Sequence, residues 1–125
     1  MKASFEKEEK RSHPRFVVDL PLEYGETGDS CLRGGVVIDV SGGGLLMETV
    51  RDIPAGTELN IAVLFPKGFE LANFKAVTKI VRKKPHWKED SEGNRYWEGY
   101  QYGLKFIQIL EENRWKLDAL LAWTT

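Results

Sequence analysis

Apolar and polar residues alternate along most of the chain. Between positions 16 and 23, the apolar residues at even positions alternate with Val17, Asp19, Pro21 and Glu23, which predicts a strand with one buried face. Pro21 within this segment favours an edge or a bulge. Residues 57–65 alternate most clearly. The two predicted inward sets are Phe16, Val18, Leu20 and Leu22 in the first segment, and Leu59, Ile61, Val63 and Phe65 in the second.

Four further segments have the same period less strictly: residues 31–40, 45–49, 71–82 and 96–109. In the first, Gly34 and Gly35 predict a bulge or a tight bend. The expected inward residues of the last two segments are Leu71, Phe74, Ala76, Thr78 and Ile80, and Tyr100, Tyr102, Leu104 and Phe106. Residues 83–95 are polar around a turn at 92–94, and the sequence assigns them no role.

The end of the chain changes to a helical pattern. Residues 111–123 contain neither glycine nor proline, and Leu117, Leu120 and Leu121 recur at helical spacing. Trp115 and Trp123 are expected to pack this helix on the sheet. Because no alternation of strands and helices is visible, the sequence predicts an all-β fold: a six-stranded antiparallel, Greek-key-like β-barrel with a C-terminal α-helix.

The first fifteen residues differ from the rest, since eight of them are charged and only three are apolar. Such a segment cannot bury enough surface to order itself. We therefore divide the chain into a flexible basic N-terminal arm, 1–15, and a folded domain, 16–125.

Composition narrows the range of functions. A chain of 125 residues with a net charge of −1 suits one domain and argues against binding to long nucleic acid. The sole cysteine, Cys31, allows no internal disulfide and no thiolate zinc site; we expect it to be buried and the protein to be cytoplasmic. His13 and His86 have no acidic partner at ligand spacing, so we expect solvated histidines and no metal. No apolar stretch is long enough to insert into a membrane.

Two short motifs contain functional groups that suit a ligand. The first is an R-x-x-x-R pattern, Arg11 and Arg15, whose planar guanidinium groups fit phosphate oxygens and the O6/N7 edge of guanine. The second is a D-x-S-x-x-G pattern, Asp39, Ser41 and Gly44. Its carboxylate can accept from guanine N1 and N2, its hydroxyl can donate to phosphate, and its glycines allow close approach of a ligand. Together these groups suit a guanine nucleotide better than a sugar or a lipid.

The pair of motifs resembles the PilZ domain family, whose members bind cyclic di-GMP. The resemblance covers roughly residues 10–108 and includes the segment Tyr102-Gly103-Leu104-Lys105-Phe106. It implies a six-stranded antiparallel barrel, and it implies that the ligand, cyclic di-GMP, contacts Arg11, Arg15, Asp39, Ser41 and Gly44. It further implies possible contacts from Lys10 and Arg82. No cofactor is implied beyond this ligand.

Three other functions compete with this reading. A protein-interaction module of the same fold is favoured by Trp87 and Trp97, which flank the turn at 92–94 and are expected to form a cross-strand pair. Single-stranded nucleic acid could lie on a barrel face. An enzyme is disfavoured because no nucleophile–base pair or carboxylate pair is recognisable. We expect a receptor with a downstream protein partner, while the sequence leaves the oligomeric state open.

Overall fold

A computed structural model describes residues 16–123. The predicted arm, including Lys10, Arg11, His13 and Arg15, lies outside the described residues. The elements are β1 (Phe16–Glu26), β2 (Arg33–Val40), β3 (Gly44–Thr49), β4 (Glu58–Lys67), β5 (Glu70–Glu89), β6 (Arg95–Gln108) and α1 (Glu111–Trp123). The six antiparallel strands and the C-terminal helix that the sequence predicts are thereby confirmed.

The strands form a closed ring in the order β1-β2-β3-β6-β5-β4, and every neighbouring pair is antiparallel. Strands β3 and β6 are neighbours although they are distant in sequence, and β4 closes the ring by pairing with β1. Ring closure leaves no strand edge open along most of the sheet. The interior of the ring can therefore be packed entirely with side chains.

The alternating residues of the strands fill this interior as predicted. On β4, all four expected residues are buried, and on β1 the side chains of Val18, Leu20 and Leu22 are buried. The helix adds Leu117 and Leu120 to the same core. Leu71 departs from its predicted face: it is 75% exposed, because it lies next to the β4–β5 turn, beyond the part of β5 that covers the core.

Strands β5 and β6 extend far beyond the ring as a two-stranded hairpin. Strand β4 pairs with β5 only as far as Lys79, and β3 pairs with β6 only from Tyr100 onward. The outer parts of β5 and β6 therefore pair only with each other, and residues 83–89 and 95 belong to strands rather than to an unassigned polar run. The polar composition misled the prediction because both faces of a two-stranded ribbon contact water.

Two further expectations about buried residues are wrong. Cys31 is exposed, since β2 begins only at Arg33 and the cysteine lies in the preceding loop. Trp115 is 49% exposed, and its ring lies under the ammonium group of Lys67, whose Nζ is 4.1 Å from the ring centroid. The side chain of Trp123 lies outside the described residues. Within residues 16–123, no helix is long and apolar enough to cross a membrane.

Candidate functional site

The end of β2 places Asp39 on the outer surface of the ring. The β2–β3 register shifts between Val37 and Asp39, so that Ile38 is an extra residue in β2. Val37 and Val40 are both fully buried, although three positions separate them. This irregularity allows both valines to face the core and leaves Asp39, adjacent to Val40, on the outer face.

The turn that follows is organised by Ser41. Its backbone N–H donates to the carbonyl oxygen of Gly44 at 2.8 Å. Its Oγ accepts from the backbone N–H of Gly43 at 3.2 Å and donates to the carbonyl of Gly44 at 3.3 Å. Ser41 is only 9% exposed. The hydroxyl therefore holds the turn closed, and it has a further acceptor position but no second donor.

Gly44 is required by the packing of the turn against β6. A Cβ atom at this position would lie 2.1 Å from the carbonyl oxygen of Leu104, well inside any permitted contact. Beside it, the carbonyl of Gly43 accepts from the backbone N–H of Phe106 at 3.0 Å. The glycine of the D-x-S-x-x-G motif is therefore required for steric reasons that the sequence did not show. Its predicted contact with a ligand stays a prediction.

A single cross-strand row connects Asp39 with Arg82. Asp39 pairs with Leu46 on β3, Leu46 pairs with Gly103 on β6, and Gly103 pairs with Arg82 on β5. Three strand spacings separate the two ends, which corresponds to about 14 Å between their backbones. Gly103 contributes no side chain, and the side chain of Arg82 lies over it: an added Cβ would meet the Arg82 Nε at 3.4 Å. The structure therefore places Asp39 and Arg82 on one cross-strand row of the outer face, with Ser41 and Gly44 in the turn that follows Asp39.

Two lysines of the adjacent row were missed by sequence reasoning. Lys105 pairs with Gly44 on one side and with Lys79 on the other, and both lysines are exposed. They alternate with the buried Leu104 and Ile80, so their side chains leave the outer face. Lys105 stands in the segment Tyr102–Phe106 that carried part of the family resemblance, so that signal could have identified it.

We define the outer patch as Asp39, Ser41, Arg82, Lys105 and Lys79. It combines three cationic side chains with one carboxylate and a hydroxyl-stabilised turn. Cationic groups of this kind can bind phosphate oxygens, and the carboxylate can accept from a guanidinium group or a base edge. This chemistry fits a small anionic ligand with hydrogen-bond donors of its own. Arg11, Arg15 and Lys10 lie outside the described residues, so their distance from the outer patch stays a prediction.

A second polar cluster lies further along the outer face, where the hairpin leaves the ring. Glu48 of β3, His86 of β5 and Glu98 of β6 each have an atom within 4.8 Å of the others. The expectation of a solvated His86 without an acidic partner is wrong, because its Nε2 lies 3.5 Å from Glu48 Oε2 and its side chain is 23% exposed. The strand register brings these residues together across 50 positions of sequence, counted from 48 to 98.

Ion pairs fix the charge of two lysines on β5. Lys88 Nζ lies 2.8 Å from Glu98 Oε1, and this hydrogen bond raises the pKa of the lysine. Lys83 pairs with Asp52, which raises the pKa of Lys83 in the same way. In both cases the carboxylate raises the pKa because it stabilises the charged form of the lysine. Both shifts favour the charged form, which a lysine already has at neutral pH.

Comparison with known proteins agrees with this architecture. The sequence matches the PilZ domain family over residues 9–123. Among solved structures, the fold is similar to the PilZ domain of YcgR from Escherichia coli, solved with c-di-GMP, with a TM-score of 0.75 and 12% identity over 92% of this chain and 91% of that one. It is also similar to the inhibitor of motility MotI/DgrA from Bacillus subtilis, with a TM-score of 0.65 and 14% identity over 92% of this chain.

A third similar structure is the K. pneumonia MrkH–c-di-GMP complex, with a TM-score of 0.60 and 17% identity over 90% of this chain. This chain spans about half of the MotI/DgrA and MrkH chains, 49% and 50% respectively. A sequence comparison with curated proteins finds no match. At these identities the solved structures establish the fold, while the family match covers both sequence motifs.

Proposed function

Because this chain belongs to the PilZ domain family, we propose that it is a receptor for cyclic di-GMP. The observation that carries the proposal is that the family match includes the R-x-x-x-R motif, while the D-x-S-x-x-G motif folds beside three cations on the outer patch. Two solved proteins of similar fold contain c-di-GMP. The ligand carries two phosphates and two guanines, so it needs cations and hydrogen-bond acceptors within reach of one another.

Each part of the proposed site has a separate role. Arg11 and Arg15 contact phosphate and the guanine O6/N7 edge, and Asp39 accepts from guanine or from an arm arginine. Arg82 and Lys105 hold the second phosphate at the other end of the patch, and Lys10 adds positive charge on the arm. Ser41 holds the β2–β3 turn in place and accepts one further hydrogen bond.

We propose that ligand binding orders the N-terminal arm against the outer patch. Ordering costs about 1–2 kcal/mol per residue fixed, and this cost offsets much of the contact energy. We therefore expect moderate affinity, on the order of micromolar. The ordered arm would present a new surface to a downstream protein. The chain would act by binding; conversion of cyclic di-GMP into a linear product by the purified protein would contradict this.

The test is calorimetric titration with cyclic di-GMP of the wild type and of Arg15→Ala. A bidentate contact contributes about 1–3 kcal/mol, so the variant should bind about 5- to 140-fold more weakly. Arg114→Ala, on the exposed face of α1, is the matched control and should bind as the wild type does. Equal affinities for the wild type and Arg15→Ala would reject the proposed role of the arm.

A second function is supported by one observation on the hairpin. Trp87 and Trp97 pair across β5 and β6, as predicted, yet they are 47% and 44% exposed, and Tyr96 beside them is 46% exposed. Exposed aromatic residues are enriched in protein interfaces. This alternative is a protein-interaction module that does not need the nucleotide. It predicts that partner binding is lost in a Trp87→Ala, Trp97→Ala variant and is unaffected by cyclic di-GMP.

A further inference from the structure

The cluster of Glu48, His86 and Glu98 has the composition of a metal site. One imidazole and two carboxylates come from three neighbouring strands, so a rigid sheet positions all three. Each residue is half-buried, which leaves one side of the cluster open to water. Three protein ligands with one open position is a common arrangement for zinc.

The one side-chain distance known within the cluster, between His86 and Glu48, fits a shared ion better than a direct hydrogen bond. His86 Nε2 and Glu48 Oε2 are 3.5 Å apart, beyond the usual range for a hydrogen bond between nitrogen and oxygen. Two ligands at about 2.0–2.2 Å from a tetrahedral zinc ion lie about 3.3–3.6 Å from each other. The spacing of this pair is therefore compatible with one shared zinc ion, and the ligand atom of Glu98 lies within 4.8 Å of both.

Outer partners hold the two carboxylates in place. Gln101 Nε2 donates to Glu48 Oε2 at 2.6 Å, and Lys88 Nζ lies 2.8 Å from Glu98 Oε1. Hydrogen bonds of this kind orient metal ligands and tune their affinity. Lys88 also balances one negative charge of the cluster when no ion is bound.

The local backbone explains how Glu98 reaches the cluster. The β5–β6 register shifts between His86 and Trp87, and Gly99 has a φ of 133°, which favours glycine. A Cβ atom at Gly99 would lie 2.8 Å from the carbonyl oxygen of Thr49. The irregularity redirects the side chains at the base of the hairpin, and such bulges are frequent beside functional sites.

We propose that Glu48, His86 and Glu98 bind one divalent transition-metal ion of the zinc class. The imidazole excludes Mg²⁺ and Ca²⁺ as preferred ions, since these take oxygen ligands. The ion would join β3 to the base of the hairpin. The site is separate from the outer patch, so the proposal does not depend on cyclic di-GMP binding.

The experiment uses the full chain after removal of metal with a chelator. Calorimetric titration with zinc chloride alone should show one equivalent bound, and magnesium chloride should give no comparable signal. His86→Ala and Glu98→Gln should each weaken zinc binding by at least about tenfold. Glu89→Gln removes an exposed carboxylate from the same hairpin and should leave zinc binding unchanged.

A second measurement separates lost binding from lost folding. Zinc should raise the melting temperature of the wild type and of Glu89→Gln, because an ion that binds only the folded state stabilises it. It should not raise that of His86→Ala, whose circular dichroism spectrum should match the wild type. The proposal is overturned if zinc gives no heat with the wild type, if His86→Ala binds zinc equally well, or if magnesium binds as tightly as zinc.

Discussion

Replacing Gly44 with alanine tests how tightly the β2–β3 turn packs against β6. The added Cβ would lie 2.1 Å from the carbonyl oxygen of Leu104, whereas real Cβ contacts are essentially never shorter than 3.0 Å. The turn or β6 must therefore move by about 1 Å to relieve the overlap. The neighbouring atoms belong to the backbone of a paired strand, so the strain cannot be relieved by rotating a side chain.

Overpacking of this kind costs about 1–3 kcal/mol, and loss of the hydrogen bonds around Ser41 would add to it. We expect Gly44→Ala to lower the free energy of unfolding in urea by at least about 2 kcal/mol, a large part of the stability of an ordinary domain. The matched control is Gly34→Ala in β2, where an added Cβ meets nothing within 4 Å. That variant should be neutral or slightly stabilised.

The same pair of variants separates packing from ligand contact. Under conditions in which both variants are folded, Gly44→Ala should bind cyclic di-GMP more weakly than Gly34→Ala does. The reason is that the β2–β3 turn, which positions Asp39 and Ser41, has shifted. A change in unfolding free energy below about 0.5 kcal/mol for Gly44→Ala would refute the steric argument. An equal loss in Gly34→Ala would refute its assignment to this contact.

Three other contacts can be tested by substitution. Tyr102→Phe removes the hydroxyl that accepts from the Ile53 N–H at 2.7 Å and donates to a carbonyl, and should destabilise the fold by about 2–4 kcal/mol in urea unfolding. Backbone hydrogen bonds, foremost that from Asn94, lower the pKa of Asp90. The folding stability that the Asp90 carboxylate contributes is therefore fully present above the ordinary Asp pKa and is lost as the pH falls through the lowered pKa. Asp90→Asn should accordingly flatten the acid limb of the stability–pH profile. Lys105→Ala should weaken cyclic di-GMP binding about 5-fold or more by calorimetry, through loss of a phosphate contact.

Each of these has a matched control. Tyr96→Phe alters an exposed tyrosine and should not change stability. Glu92→Gln removes an exposed carboxylate beside Asp90 and should keep the acid limb of the wild type. Lys75→Ala removes an exposed lysine of β5 beside the first turn of α1 and should keep the wild-type affinity. An unchanged affinity in Lys105→Ala would remove that residue from the proposed site.

The inward faces of the strands could be predicted from the sequence because burial imposes a strict period of two. On β4 the four expected residues are all buried. The same reasoning failed where one strand has no core to cover. The outer parts of β5 and β6 have water on both faces. Their sequence, which includes Lys84, Lys88 and Arg95, therefore lacks the alternation of apolar and polar residues from which a strand is predicted.

The candidate site was predicted only in part, for a similar physical reason. Asp39, Ser41 and Gly44 lie close together in sequence, so a short motif could reveal them. Arg82 could be named only from the family resemblance, and Lys105 was missed as a contact, because both join the motif through strand pairing, which depends on bulges in β2 and β5. Likewise, Glu48, His86 and Glu98 meet through the register of three strands. A register shift of one residue reverses which face a side chain occupies, and composition alone does not specify such shifts.

The central proposal is that the arm and the outer patch together bind cyclic di-GMP between them. Its most direct test is nuclear magnetic resonance of the full chain, with spin labels placed on the arm and read out at the backbone amides of residues 39–44 and 103–105. Added cyclic di-GMP should bring the label close enough to broaden those amides, and Arg11→Ala together with Arg15→Ala should abolish the effect. Saturating ligand that leaves those amides unbroadened, or broadens them equally in the double variant, would contradict the account.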